Sequence, residues 1–489
     1  MAGDDITVHV EWLARRLTQQ QEDAAATEQH RIMMNTLRVS RVPDHVREHN
    51  RDDYTPRLVA IGPLHVSDSR LRAGYRLKMA YLHSLISRGH PDPGRHLAVI
   101  QSYVRLVAAR EQEARAMYAA EDVDMSAEDL IQMLVLDGCF IIEHLVNVAT
   151  GVEEASLHAT PFGPVQLFVD LVLAENQIPF FVLVDLIKST RLPEFDSTGY
   201  QPTDLLMKLG LPAANDVCHI LHLLHEMVTA ARTAWEPPPR TQVCTVKMAR
   251  DAARLLQRLP LLLLVSVLYP TLPEESKWGA RYGRVGVPSA SDLKRMLLMQ
   301  IKKARGGSGD TDKAPAGIVS VLGPVPLAVK LAHGERLRLP QLRIEYRTAP
   351  LLLNLMAFEQ SAGNRAGDVS SYVWLMATMV QSAKDAGVLV AADVVQSSTS
   401  AGNETNVDVA RFLRRVGAAS EAAAELQKSY LGPSLETLRE LTSDQLMTMR
   451  ADVQRYYVNV PWRLVAAFVT IVTTVASILQ TFTSFKQKP

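Results

Sequence analysis

Apolar residues recur at helical spacing along most of this chain, and the segments that break the spacing are short. The periodicity predicts helices from about Ser69 to Arg88, Arg95 to Tyr118, Ala127 to Val148 and Val217 to Ala231. It resumes at Leu352 to Gln360, Ser371 to Ser382 and Asp408 to Gly417, and a last helix ends in Tyr456 to Trp462. Pro179 fits the first turn of a further helix reaching Lys188, where a missing N–H costs nothing. Between Ile318 and Arg347 the pattern changes to short β-compatible runs, V-S-V-L, L-A-V-K-L and L-R-I-E-Y, which predict a small sheet. Prolines between Ser40 and Ser69 enforce extended segments and turns.

The C-terminal pattern differs. Leu464 to Phe485 carries no charge and is bounded by Arg463 on one side and Lys486 and Lys488 on the other. At 1.5 Å per residue about 22 residues reach roughly 33 Å, enough to cross a bilayer. The competing reading is an amphipathic core or interfacial helix, because Leu464, Ala467, Phe468, Ile471, Val475, Ile478, Leu479 and Phe482 share one face. Opposite them runs a stripe of Thr470, Thr473, Thr474, Ser477, Thr481 and Ser484. Such hydroxyls satisfy themselves on the preceding turn's carbonyls or bond between helices in lipid, so the spanning reading survives them. Arg450, Arg455 and Arg463 balance Lys486 and Lys488, which leaves the orientation open.

The expected fold is therefore mostly α, a large helical body with a small β element and a C-terminal single transmembrane helix. Residues 1–38 read as a leader with a short helix around Trp12, Leu13 and Leu17, and residues 39–235 as the N-terminal helical part of the body. Residues 236–316 form a variable stretch with linker-like Glu236 to Arg240 and Ala304 to Lys313. Residues 317–460 complete the body, and 461–485 form the anchor.

Composition narrows the function. Lys plus Arg and Asp plus Glu are 52 each, so the overall field favours no nucleic acid or acidic polymer. Cys139, Cys218 and Cys244 lie far apart without metal or redox spacing, which suits a reducing compartment. The acidic start M-A-G-D-D lacks the basic and apolar stretches of a signal peptide.

The most informative run is Asp170 to Leu183, D-L-V-L-A-E-N-Q-I-P-F-F-V-L. Carboxylates and amides are costly to bury unless paired, so Glu175, Asn176 and Gln177 mark a specified polar network. Similar polar residues inside apolar runs are Asp137 and Glu143 in M-L-V-L-D-G-C-F-I-I-E-H-L, and Glu359 and Gln360 in L-L-N-L-M-A-F-E-Q. These blocks, with R-V-P through I-G-P-L-H-V before them and His222 to His225 and Pro288 to Arg295 between them, resemble the plant family called "domain of unknown function 247", or uncharacterised protein family 0481. The resemblance runs from about Ser40 to Thr481, with residues 235–315 poorly matched. Leu64 and Val66 flank His65 where the family commonly has aromatic or further histidine residues. Members in grasses are implicated as self-incompatibility determinants. The resemblance thus implies a plasma-membrane protein with a protein partner.

Candidate chemistry is sparse. His219, His222 and His225 stand at i, i+3 and i+6, so the outer two diverge by about 120° and at most two of the three share a ligand face. His45 and His49 lie near Asp44 and Asp53, with solvated or capping roles expected. Gly306, Gly307, Ser308 and Gly309 lack the ending of a phosphate loop. Asn403-Glu404-Thr405 is a glycosylation sequon that matters only in the secretory lumen. Asp137, Glu143, Glu175 and Glu359 sit in apolar contexts that would raise their pKa values, as an acid–base pair requires. The alternative is that Glu175, Asn176, Gln177, Glu359 and Gln360 hydrogen-bond helix ends inside the core. The expectation is a membrane-anchored, non-catalytic recognition protein without cofactor or metal, open to homo-oligomers through the hydroxyl stripe. The second hypothesis is an enzyme built around Asp137 and Glu175.

Overall fold

The computed structural model describes residues 39–193, 217–230, 289–303, 327–361, 367–397 and 403–420, apart from short gaps within them, and scattered positions elsewhere. The chain is mainly helical among these residues, with two small sheets. A short helix α1 (Asp44–Arg47) and 3₁₀ turns precede α2 (Arg72–Gly89), where the prolines predict an irregular lead-in. The segment read as one helix from Arg95 to Tyr118 is two, α3 (His96–Ala108) and α4 (Glu111–Arg115). The chain leaves helical geometry at Arg110 (φ −124°, ψ 19°), whose guanidinium lies 3.8 Å above the Phe181 ring and pairs with Asp185 at 2.6 Å.

Helix α5 (Ala127–Thr150) is set by its ends. The Ser126 hydroxyl accepts the Asp129 amide, two acids occupy the first turn, and Gly151 closes the helix in the left-handed region at φ 70°. Among the described residues it is the one helix long and apolar enough to cross a membrane. Its faces are instead buried against α2, α3 and α7, which makes it a core helix. Helix α6 (Phe162–Leu171) leads to the polar run, and α7 (Phe180–Ser189) starts directly after Pro179. Then come α8 (Ile220–Ala230) and α9 (Ala290–Leu297).

The predicted small sheet is present in two pieces. In the first, β1 (Gln300–Lys303) pairs in parallel with β3 (Arg336–Leu339), which pairs antiparallel with β2 (Lys330–Ala332). In the second, β4 (Leu342–Ile344) runs parallel to β5 (Val395–Ser397). Helices α10 (Thr348–Ser361), α11 (Asp368–Met379), α12 (Ala383–Ala391) and α13 (Asn403–Ser420) complete the described body. Helix α12 begins at a capping box in which Ser382 and Asp385 satisfy each other's amides.

Two hydrophobic clusters fill this scaffold. One gathers residues between Val39 and Leu192, with Leu223. The other gathers residues from Ala290 onward, with Val42, Tyr54, Val172 and the apolar side of α8. The segments 39–62 and 171–178 and helix α8 contribute to both, so the polar run lies where the clusters meet.

The leader, the linkers around Glu236 and Ala304, the V-S-V-L run and most of Leu464 to Phe485 lie outside the described residues. Within the last, Val469, Thr473, Ala476, Ser477 and Gln480 are helical and exposed. The Thr473 hydroxyl donates to the Val469 carbonyl at 3.0 Å and Ser477 to the Thr473 carbonyl at 2.8 Å.

Candidate functional site

The polar residues of the apolar runs are turned inward and spent on backbone. Glu175, 1% exposed, accepts the Val42 amide at 2.7 Å and forms an ion pair with Arg47. His65 Nε2 lies 3.2 Å from its other oxygen without the alignment of a hydrogen bond. Asn176 accepts the Ile61 amide at 2.6 Å and donates to the carbonyls of Val59 and Asp170. Gln177 donates to the Leu171 and Leu173 carbonyls and accepts the Leu221 amide at 3.1 Å, which fixes the first turn of α8. Three consecutive side chains thus hold four stretches of backbone, at Val42, at 59–61, at 170–173 and at Leu221.

The same logic extends outward. Asp137, fully buried on α5, accepts the Gly62 amide at 2.8 Å and pairs with Lys78 of α2. Gly62 is required there: its φ is 77°, and a Cβ would meet the Gln177 carbonyl oxygen at 2.3 Å. Asp170 takes the amides of Leu58 and Val59 at 2.7 and 2.8 Å. Glu143 joins α5 to α2 through the Ser84 hydroxyl and the Arg88 guanidinium, both at 2.6 Å. Glu359 of α10 accepts the Val369 and Ser370 amides at the start of α11, the Ser370 hydroxyl, and His225 Nε2 at 2.9 Å. Gln360 differs: it is exposed, and its amide reaches the Ala419 carbonyl at 3.3 Å.

Several members of this hub are not among the residues the sequence reading singles out. Asn354, fully buried in α10, donates to the Asp53 carbonyl at 2.8 Å and accepts the Ala174 amide at 2.7 Å. Arg415 of α13 reaches back to Asn50 and Asp53. The signal that exposes Glu175, an amide or acid inside an apolar run, also marks Asn354 in L-L-N-L. Lys78 and His65 have no such context.

Electrostatics divides the carboxylates. Burial pushes the Asp137 carboxyl up, opposed by Lys78 and the Gly62 amide. Burial also acts on Glu175, yet His65, Arg47 and the Val42 amide outweigh it and hold the carboxyl below its ordinary value. The expectation of a raised Glu175 therefore fails because the fold supplies more donors than burial removes. A depressed folded-state value stabilises the protein above the unfolded value of 4.5 and loses that contribution as pH falls through the folded one. The stability gap between wild type and Glu175→Gln, read from urea unfolding, is expected to shrink between about pH 6 and about pH 3. A gap that widens on acidification would refute the arrangement.

His219, His222 and His225 pack their rings around Phe358, with centroids 5.2, 5.2 and 5.5 Å away. Among the described residues no group of three His, Cys, Asp or Glu side chains converges to hold a metal ion. An open depression of about 660 Å³ is lined by Asp44, Arg47, Glu48 and Arg51. Arg47 touches both the depression and Glu175, whose carboxylate does not line it.

The model of a plant family, described as a plant protein of unknown function, matches residues 39–476. The chain belongs to this family. The match begins at the first described residue and runs into the C-terminal apolar segment. A UPF0481 protein of Arabidopsis thaliana is 22% identical over 453 residues, covering 90% of this chain and 85% of the relative. A putative UPF0481 protein of the same plant is 27% identical over 159 residues, 32% of this chain and 28% of the relative. No solved structure matches the chain. Every residue of the buried hub named above lies inside the matched span.

Proposed function

We propose that this chain is a membrane-tethered, non-catalytic recognition protein, a helical body carried on a single C-terminal helix, Leu464 to Phe485. The observation that carries the reading is the sealing of Asp137 and Glu175, at 0% and 1% exposure, with both Asp137 oxygens and one Glu175 oxygen committed to amides and cations. An acid–base pair needs a substrate within about 3 Å of its proton, and burial at 0% and 1% exposure keeps both carboxylates from the surface where a substrate arrives. Buried networks of this kind instead rigidify and specify a scaffold whose loops are free to carry recognition.

The tether is supported by the uncharged length of the C-terminal segment and by the Thr473 and Ser477 hydroxyls, which bond within their own helix as lipid requires. The resemblance to self-incompatibility determinants of grasses supports a plasma-membrane location and a protein partner. Self-association through the stripe of Thr473, Ser477 and Thr481 is compatible with this reading.

The test is carbonate extraction and protease protection of plant cells expressing the N-terminally tagged full chain beside one truncated after Val460. The reading predicts that the full chain alone resists extraction, and tag accessibility then gives the side on which partners are found. If both chains wash off, the tether is wrong and a peripheral or soluble binding protein replaces it.

A further inference from the structure

Away from the hub, a cleft of about 190 Å³ opens where α5 ends, between α2 and the loop that follows Gly151. Its inner wall is Tyr81, His144 and Asn147, and its rim carries Glu153 and Glu154. Val148 and Val152, 61% and 49% exposed, form an apolar side.

Three features of the cleft bear on what it accepts. The His144 ring and the Tyr81 hydroxyl have no hydrogen-bond partner among the described residues, and Asn147 uses its oxygen on Arg88 at 3.0 Å while its amide nitrogen has none. Burial, reinforced by His158, holds the His144 imidazole down to about 4, so at neutral pH the ring offers one donor and one lone pair. Acidic groups rim the cleft. Glu153 is exposed on the rim, Glu154 is half-buried with one oxygen on the Leu157 amide at 2.8 Å, and the carbonyl end of the 24-residue α5 points its partial negative charge here. Arg88 nearby is engaged by Glu143, and His158, also in the lining, has its ring Nδ1 on the Glu154 carbonyl at 2.9 Å.

We propose that this cleft binds a small organic monocation, a protonated amine on a short apolar body, with the nitrogen held by His144 and Glu153 and the body against Val148 and Val152. The volume equals about six waters and falls below the roughly 300–1,000 Å³ of ordinary ligand sites, which limits the ligand to fragment size and excludes nucleotides. An anion would face two carboxylates and a helix C-terminus, and a purely apolar molecule would leave His144 and Tyr81 unsatisfied.

The test is isothermal titration of the purified full-length chain with phenethylamine, with phenylacetate and 2-phenylethanol as matched controls. Phenethylamine is expected to bind saturably and at least about tenfold more tightly than either control, the worth of one good charge-assisted hydrogen bond. Glu153→Gln and His144→Phe are each expected to weaken it about fivefold to tenfold with the melting temperature unchanged. Glu153 is exposed, so its variant carries the test if His144→Phe does not fold. Equal binding of the three compounds, binding of none, or amine binding untouched by Glu153→Gln overturns the proposal.

Discussion

Lys78→Met is expected to lower the unfolding free energy by about 3–5 kcal/mol, the cost of breaking a buried pair by removing one partner. Lys78 is 6% exposed and Asp137 is fully buried, so the carboxylate left behind has the Gly62 amide alone to replace the ammonium. Burial already pushes the Asp137 carboxyl up, and the variant escapes part of the penalty by taking a proton. Its stability should then fall further as pH rises, because the proton must be held against a higher pH. Lys78→Met with Asp137→Leu removes both charges and should recover much of the loss, except for the Gly62 amide, which stays without its acceptor. Urea unfolding of Lys78→Met, Asp137→Leu and the double variant beside wild type closes the cycle. A single variant within about 0.5 kcal/mol of wild type would show that the pair is not buried as described.

Glu175→Ala is expected to cost a similar amount, about 3–5 kcal/mol, and to lower the yield of folded protein. It strips a partner from Arg47 and His65 and leaves the Val42 amide unsatisfied in the core. Glu175→Gln keeps an acceptor for Val42 but loses the charge that Arg47 answers, so its cost should be about half as large. Chemical denaturation with an unchanged m-value for both variants separates lost stability from a changed fold. Equal costs for the alanine and glutamine variants would mean that the Val42 hydrogen bond contributes nothing.

Much of the scaffold is legible from spacing alone. Helix α5 is marked by its apolar faces, by Ser126 ahead of two acids and by Gly151 after its end; Pro179 places the start of α7 within a residue. Helix α12 is not read from the pattern, although the Ser382–Asp385 capping box marks its start. Strand β1 is Q-I-K-K, with one β-branched residue, and it exists because β3 lies beside it. The polar residues are legible because acids and amides inside apolar runs are costly, but their partners are not. Asn176 and Asp170 answer the backbone of residues 57–61, more than a hundred positions earlier, and no spacing encodes so distant a pairing. Gln360 shows the limit of proximity: one position after Glu359 turns the side chain about 100° round the helix, out of the core.

Hydrogen exchange on the intact chain, wild type beside Glu175→Ala, tests most directly whether the family's polar run ties the two hydrophobic clusters together. The account predicts that protection falls together in residues 39–62, in residues 170–177 and at the start of α8, because Glu175, Asn176 and Gln177 hold those segments through one continuous network. Loss of protection confined to the amides beside Glu175, with Ile61 and Leu221 unchanged, would contradict it.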